Sequence, residues 1–217
     1  MMPGVLRAAL GIACLALSVV THGQVGGASG TCVPLETRPP NGASQKPNFP
    51  GQTRACGVKS AVAFEVTVLA RGLEHPWSVE PLPGGEFLVS ERPGRLRIVS
   101  PGGELGPPIA GLPPVDARGQ GGLLDVALSP GFESDRTLYW SYAEPREGGN
   151  GTSVARGVLS PDRRSLTQVR VIFRALPTYN GRLHFGSRLS FGPDGMLYVT
   201  TGERSDSGMR KYAQEAD

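Results

Sequence analysis

Three times along the chain an apolar stretch runs into a proline-glycine turn and out into a second apolar stretch, and this recurrence limits the possible folds more than any other feature. The three units are residues 79–89 around Pro83-Gly84-Gly85, 124–139 around Pro130-Gly131, and 189–199 around Pro193-Asp194-Gly195. Their turn prolines lie 47 and then 63 residues apart. A repeat of roughly 40–50 residues with about four strands is the period of a β-propeller blade, and the longer second interval leaves room for an inserted loop.

The texture between the turns agrees. Phe64, Val66 and Val68 alternate with Glu65 and Thr67, and Leu96 and Ile98 with Arg95 and Arg97. The same pattern returns at Leu138, Trp140 and Tyr142, at Val169, Val171 and Phe173, and at Leu197 and Val199. Period-two alternation predicts strands with one buried face. The 31 glycines and 20 prolines of the 217 residues exceed what helical proteins tolerate and suit many short strands joined by tight turns. An all-β fold follows. About three to four blades fit after residue 60, whereas closure of a propeller takes 4–8. The residues from Lys211 onward are polar and supply no closing strand. The chain is therefore expected to be the N-terminal part of a larger propeller, the alternative being a complete small β-sandwich.

Ahead of the repeats, Arg7 and the apolar run at 8–20 read as the start of a signal peptide covering residues 1–28. A membrane anchor is the alternative, but the run has about 13 residues against the roughly 20 a spanning helix needs, so no stable membrane insertion is expected after cleavage. Residues 29–60 contain Pro34, Pro39, Pro40, Pro47 and Pro50 and read as an irregular leader, with the propeller domain at 61–217. Removal of the signal discards Cys14 and leaves Cys32 and Cys56, an even pair in an oxidising compartment. A disulfide between them would close a loop of about 25 residues and contribute roughly 3 kcal/mol; two unpaired thiols are the alternative.

Several function classes are excluded. A net charge of +3, with no Lys/Arg cluster interleaved with aromatics, argues against a nucleic-acid surface. There is no dinucleotide fingerprint, P-loop, Gly-x-Ser-x-Gly elbow, Cys/His zinc spacing or Asp-rich calcium loop.

The stretch Trp77-Ser78-Val79 with Leu88-Val89-Ser90-Glu91-Arg92-Pro93-Gly94-Arg95-Leu96 resembles the first blade of the soluble glucose/sorbosone dehydrogenase family, which includes the aldose sugar dehydrogenases. The resemblance continues through Gly119-Gln120-Gly121-Gly122-Leu123-Leu124-Asp125-Val126-Ala127-Leu128, then His184-Phe185-Gly186-Ser187-Arg188-Leu189 and Pro193-Asp194-Gly195. Each motif alone is weak. Their order and spacing together make the match.

The resemblance implies a periplasmic or secreted six-bladed propeller that binds calcium and pyrroloquinoline quinone (PQQ) and oxidises the anomeric hydroxyl of aldoses to lactones, passing electrons to an acceptor. It places the catalytic base at His184 and substrate contacts at Gln120 and Gln214, with the cofactor-holding residues beyond Asp217. Without the resemblance, a single histidine beside Phe185 is more often a core or surface residue, and Gln120 among Gly119, Gly121 and Gly122 is as readily a turn residue. His22 falls in the signal region and His75 in a turn-like segment before Pro76, so neither competes with His184. Arg188, Glu91, Arg92, Asp125, Glu203 and Arg204 are expected in structural ion pairs, Arg188 in one between blades. The glucose-preferring branch has an acidic residue before the histidine; here it is Leu183, which points to broad aldose acceptance. Two other readings of the scaffold are a non-enzymatic propeller that binds a ligand or partner and a calcium-dependent lactonase.

Overall fold

The computed structural model describes residues 33–214 apart from positions 40, 41, 43, 45, 50, 51, 53 and 59. The chain divides into two units, residues 1–64 and 65–217. In the first, Leu35 N–H donates to Ala55 O at 3.1 Å and Gly57 N–H to Val33 O at 2.7 Å, so the ends of the proline-rich segment pair antiparallel. Cys56 beside them is disulfide-bonded. Cys32, Cys14 and the apolar run at 8–20 lie outside the described residues.

The second unit is nearly all β. Strands β1 (Pro76–Pro81), β2 (Phe87–Glu91) and β3 (Arg95–Val99) form one antiparallel sheet. β4 (Leu123–Leu128), β5 (Thr137–Arg146), β6 (Gly149–Leu159) and β7 (Leu166–Arg174) form a second, and β8 (Gly186–Phe191) with β9 (Leu197–Thr201) a third. Each is an up-and-down meander. The first strands stand next to one another, β4 against β1 and β2, and β8 against β4 and β5. These are successive blades of a β-propeller, three in number among the described residues.

Local chemistry explains the hairpins. In the first, Leu82 N–H donates to Glu86 O at 2.8 Å and Gly85, at φ +85°, donates to Leu82 O at 3.2 Å. The third repeats this with Gly192 N–H to Met196 O at 2.9 Å and Gly195, at φ +78°, to Gly192 O at 2.9 Å. Both turns need the left-handed region that glycine enters without steric cost. In the middle unit Pro130-Gly131 leads instead into the single helical turn α1 (Phe132–Asp135) before β5.

The main core lies between the first two sheets, where Leu88, Leu96, Leu123, Leu138, Trp140 and Tyr142 are fully buried. Ala127, Val154 and Leu189 join the second sheet to the third. Two strand expectations fail in part. Residues 64–68 form no strand and leave Phe64, Val66 and Val68 exposed, because the segment finds no partner among the described residues to complete its hydrogen-bond ladder. β7 does form, but it is the outermost strand of its sheet, so Val169, Ile172 and Phe173 stay partly exposed.

Candidate functional site

The site grows out of the β8–β9 hairpin. Gly186 pairs with Thr201 at its open end, and the pairing continues past the strands. Gly202 N–H donates to Phe185 O at 3.1 Å, and Arg204 N–H to His184 O at 3.2 Å. His184 and Glu203 are thereby set side by side, with His184 Nδ1 2.8 Å from Glu203 Oε1. Gly202 permits the approach, since a Cβ there would stand 2.2 Å from the His184 carbonyl oxygen.

A carboxylate only accepts hydrogen bonds, so a proton shared across this 2.8 Å contact would sit on Nδ1 and leave the lone pair of a neutral imidazole on Nε2. About half of the imidazole, 54%, is open to solvent. It borders a cleft of about 290 Å³ lined by Thr152, Leu176, Pro177, Glu203, Arg204, Met209, Tyr212 and Ala213 among others. The arrangement can take a proton from a hydroxyl bound in the cleft.

The backbone around the imidazole is tightly specified. His184 sits at φ +53°, in the left-handed region. Gln120 reaches it from the loop before β4: its N–H donates to Arg182 O at 2.8 Å, and its Oε1 accepts the His184 N–H at 2.8 Å. Gly119, at φ +57°, lets that loop close in, since a Cβ there would lie 2.4 Å from Arg182 O. The resemblance implies a sugar contact at Gln120, with a turn residue as the alternative; in the structure its side-chain oxygen is engaged by the His184 N–H, and the residue is not part of the cleft lining. Gln214 ends the 3₁₀ segment Arg210–Gln214, whose Tyr212 and Ala213 line the cleft.

Arg204 lies beneath the site and is almost completely buried. Its guanidinium donates to Leu183 O at 3.1 Å, Gly181 O at 3.0 Å and Asn150 Oδ1 at 2.6 Å, and rests 4.0 Å from the Phe185 ring centre. Burial pushes its pKa down from the ordinary guanidinium value. Asn150 in turn donates to Asp116 Oδ2 at 2.7 Å. Hydrogen bonds from the Arg118 side chain, against the effect of burial, hold the Asp116 carboxyl well below its usual range.

Glu203 and Arg204 are expected in ion pairs; Glu203 is in one, with His184, whereas Arg204 has no carboxylate at ion-pair distance among the described residues. The signal was present: His184 and Glu203 are nearly equidistant from the Pro193-Asp194-Gly195 turn, so an antiparallel hairpin must bring them together. Arg188 behaves as expected, its Nη1 lying 3.0 Å from Asp125 Oδ1 on the neighbouring sheet.

Known proteins share much of this sequence and fold. Residues 73–217 match the family model described as Glucose / Sorbosone dehydrogenase. An aldose sugar dehydrogenase of Escherichia coli K12 is 41% identical over 154 residues, covering 70% of this chain and 41% of that protein. A crystal structure of a glucose dehydrogenase is 46% identical with a TM-score of 0.64, over 67% of this chain and 43% of that one. The PQQ-bound aldose sugar dehydrogenase of Streptomyces coelicolor is 34% identical with a TM-score of 0.59, over 66% of this chain and 42% of that one. The chain thus spans less than half the length of these relatives. With the family model covering the whole run of blades, the chain belongs to the glucose/sorbosone dehydrogenase family.

Proposed function

We propose that this chain carries the proton-accepting side of a sugar-oxidising site in an exported, PQQ-dependent aldose dehydrogenase. The observation that carries the reading is the His184–Glu203 contact at 2.8 Å on the wall of an open cleft. A sugar hydroxyl in the cleft gives its proton to His184 Nε2, and Glu203 stabilises the imidazolium that forms. Loss of a hydride from the same carbon turns the anomeric centre into a lactone carbonyl. Bound quinone would supply the acceptor for that hydride, and calcium the polarisation of the quinone.

The residues present fit the sugar side of this chemistry. Tyr212, Met209 and Leu176 offer apolar surface for a sugar ring, and the Thr152 hydroxyl and Glu203 carboxylate add polar groups to the same lining. Arg204 is no clamp for a carboxylated cofactor, because all three of its guanidinium nitrogens donate to protein oxygens. Among the described residues no group of three or more His, Cys, Asp or Glu could hold a metal ion. Ligands for the quinone and for calcium are therefore not assigned to this chain. Leu183 offers no acceptor to a sugar hydroxyl, which supports broad aldose acceptance. Export is supported by Arg7 and the apolar run that follows it.

The test uses the complete gene product reconstituted with calcium and PQQ. It is expected to reduce an artificial electron acceptor when several aldoses are supplied, and His184→Ala, folded, is expected to lower kcat by about 10²–10⁴. Unchanged turnover in His184→Ala, or hydrolysis of a lactone without quinone, overturns the reading.

A further inference from the structure

We infer that Arg204 is a positioning residue for the His184–Glu203 pair, holding both partners through the main chain. The inference rests on the reading of His184 as the base. Arg204 is 6% exposed, yet among the described residues no carboxylate lies within ion-pair distance of its guanidinium. A buried arginine kept only for stability is normally paired with an acid. The guanidinium donates to neutral oxygens instead: Nε to Leu183 O just before the histidine, Nη2 to Gly181 O and Asn150 Oδ1, and Nη1 to Asn150 O, while the Arg204 main-chain N–H donates to His184 O. The guanidinium lies over the Phe185 ring, its Cζ 4.0 Å from the ring centre.

The need for such a clamp is local. A non-glycine residue in the left-handed region carries roughly 1–3 kcal/mol of strain and persists only where its surroundings fix it. His184 is fixed at its N–H by Gln120, at its carbonyl by the main-chain N–H of residue 204, and at the preceding carbonyl by the Arg204 Nε. Glu203 is the residue immediately before Arg204, so the same anchor sets where its carboxylate starts. A planar fork with donors in fixed directions can do this; a single ammonium cannot reach the same oxygens together.

The test compares wild type with Arg204→Lys, Arg204→Met and Phe185→Leu in the complete gene product, the last keeping every hydrogen bond and removing only the stacking surface. Two readouts are taken on variants whose thermal melts remain cooperative. Nitrogen-15 NMR of histidine-labelled protein is expected to show His184 protonated at Nδ1 in wild type, with that signal lost in both Arg204 variants and weakened in Phe185→Leu. Steady-state kinetics are expected to show kcat lowered about 10- to 100-fold in Arg204→Lys, with KM within about twofold. If the Nδ1 signal survives in Arg204→Lys, or if that variant restores wild-type kcat, the inference is overturned. If wild type turns over no sugar but loses its Nδ1 signal on Arg204→Lys, the positioning role stands and the dehydrogenase reading alone fails.

Discussion

The hydroxyl of Ser141 on β5 donates to the main-chain carbonyl of Ser187 on β8 at 2.7 Å, tying the second sheet to the third. The same oxygen accepts the Asp125 N–H at 3.0 Å within its own sheet. One blade earlier Ser90 repeats both contacts, accepting from Ser78 N–H at 3.0 Å and donating to Leu124 O at 2.5 Å. In the third sheet Thr200 accepts from Arg188 N–H at 2.9 Å. A small hydroxyl on the second strand of each blade thus accepts from its own blade, and in the first two it also donates to the next blade, satisfying buried backbone groups that the sheet ladders leave over.

Ser141→Ala should therefore cost more than one ordinary hydrogen bond. It strands the Asp125 amide and the Ser187 carbonyl together in a fully buried setting, and each unpaired group costs on the order of 1–3 kcal/mol. The expected loss is about 2–4 kcal/mol of unfolding free energy, seen as a lower urea midpoint at unchanged slope. A midpoint shift worth under about 0.5 kcal/mol would show that the between-sheet hydroxyl does not hold the blades together.

Acid should weaken a second contact. Burial raises the pKa of Glu144, but hydrogen bonds from Arg174, Ser153 and Arg146 outweigh it and bring the group down to about 2 from an ordinary 4.5. A carboxylate with a depressed folded-state pKa contributes stability that is complete above the unfolded value and lost as pH falls through the folded one. The contribution is on the order of 2–3 kcal/mol, allowing for solvent around Arg174. Wild type and Glu144→Gln should differ by that amount at pH 7, and the gap should close as pH falls from about 4.5 towards 2. Urea midpoints at pH 7, 4 and 3 measure this; a gap that stays constant would exclude Glu144 as its source.

How much of this was legible without coordinates depended on whether the pattern named its partner. The Pro193-Asp194-Gly195 turn between apolar stretches fixes a hairpin by local geometry alone, and the hairpin formed. The alternation at Phe64, Val66 and Val68 was equally regular, yet alternation describes how a strand would look and says nothing of whether another strand is there to pair with it. Gln120 shows the same limit at the site. Its amide was readable as a polar group near a ligand, while the engagement of its oxygen by His184 depends on a contact across 64 residues of sequence. Residue type alone reads Glu203 as one half of a structural ion pair, whereas hairpin register names His184 as the other half.

Gly202→Ala probes that register directly. The added methyl would meet the His184 carbonyl oxygen at 2.2 Å, backbone against backbone, so no rotamer change relieves it. The open end of the hairpin must spread, separating His184 from Glu203. A stability loss of roughly 1–3 kcal/mol is expected, with kcat about 10²-fold lower in the reconstituted protein. Melting and turnover measured on the same preparation should fall together; full activity in a destabilised protein would mean that the His184–Glu203 spacing tolerates the shift.

The role of Glu203 can be separated from simple substrate contact by how its loss divides between kcat and KM. If it steadies the imidazolium, its interaction strengthens only as the proton arrives at His184, so it belongs to the transition state and not to the bound sugar. Glu203→Gln keeps the size and an acceptor oxygen but removes the charge, and should lower kcat by roughly 10- to 100-fold while KM moves little. Glu203→Ala removes the carboxylate beside His184 Nδ1 altogether, and should lower kcat further, to within about tenfold of His184→Ala. The double variant His184→Ala/Glu203→Ala should then be no slower than His184→Ala alone, because two groups that act as one unit cannot lose their effect twice. Additive losses in the double variant, or a drop confined to KM, would place Glu203 on the sugar and leave His184 without its partner.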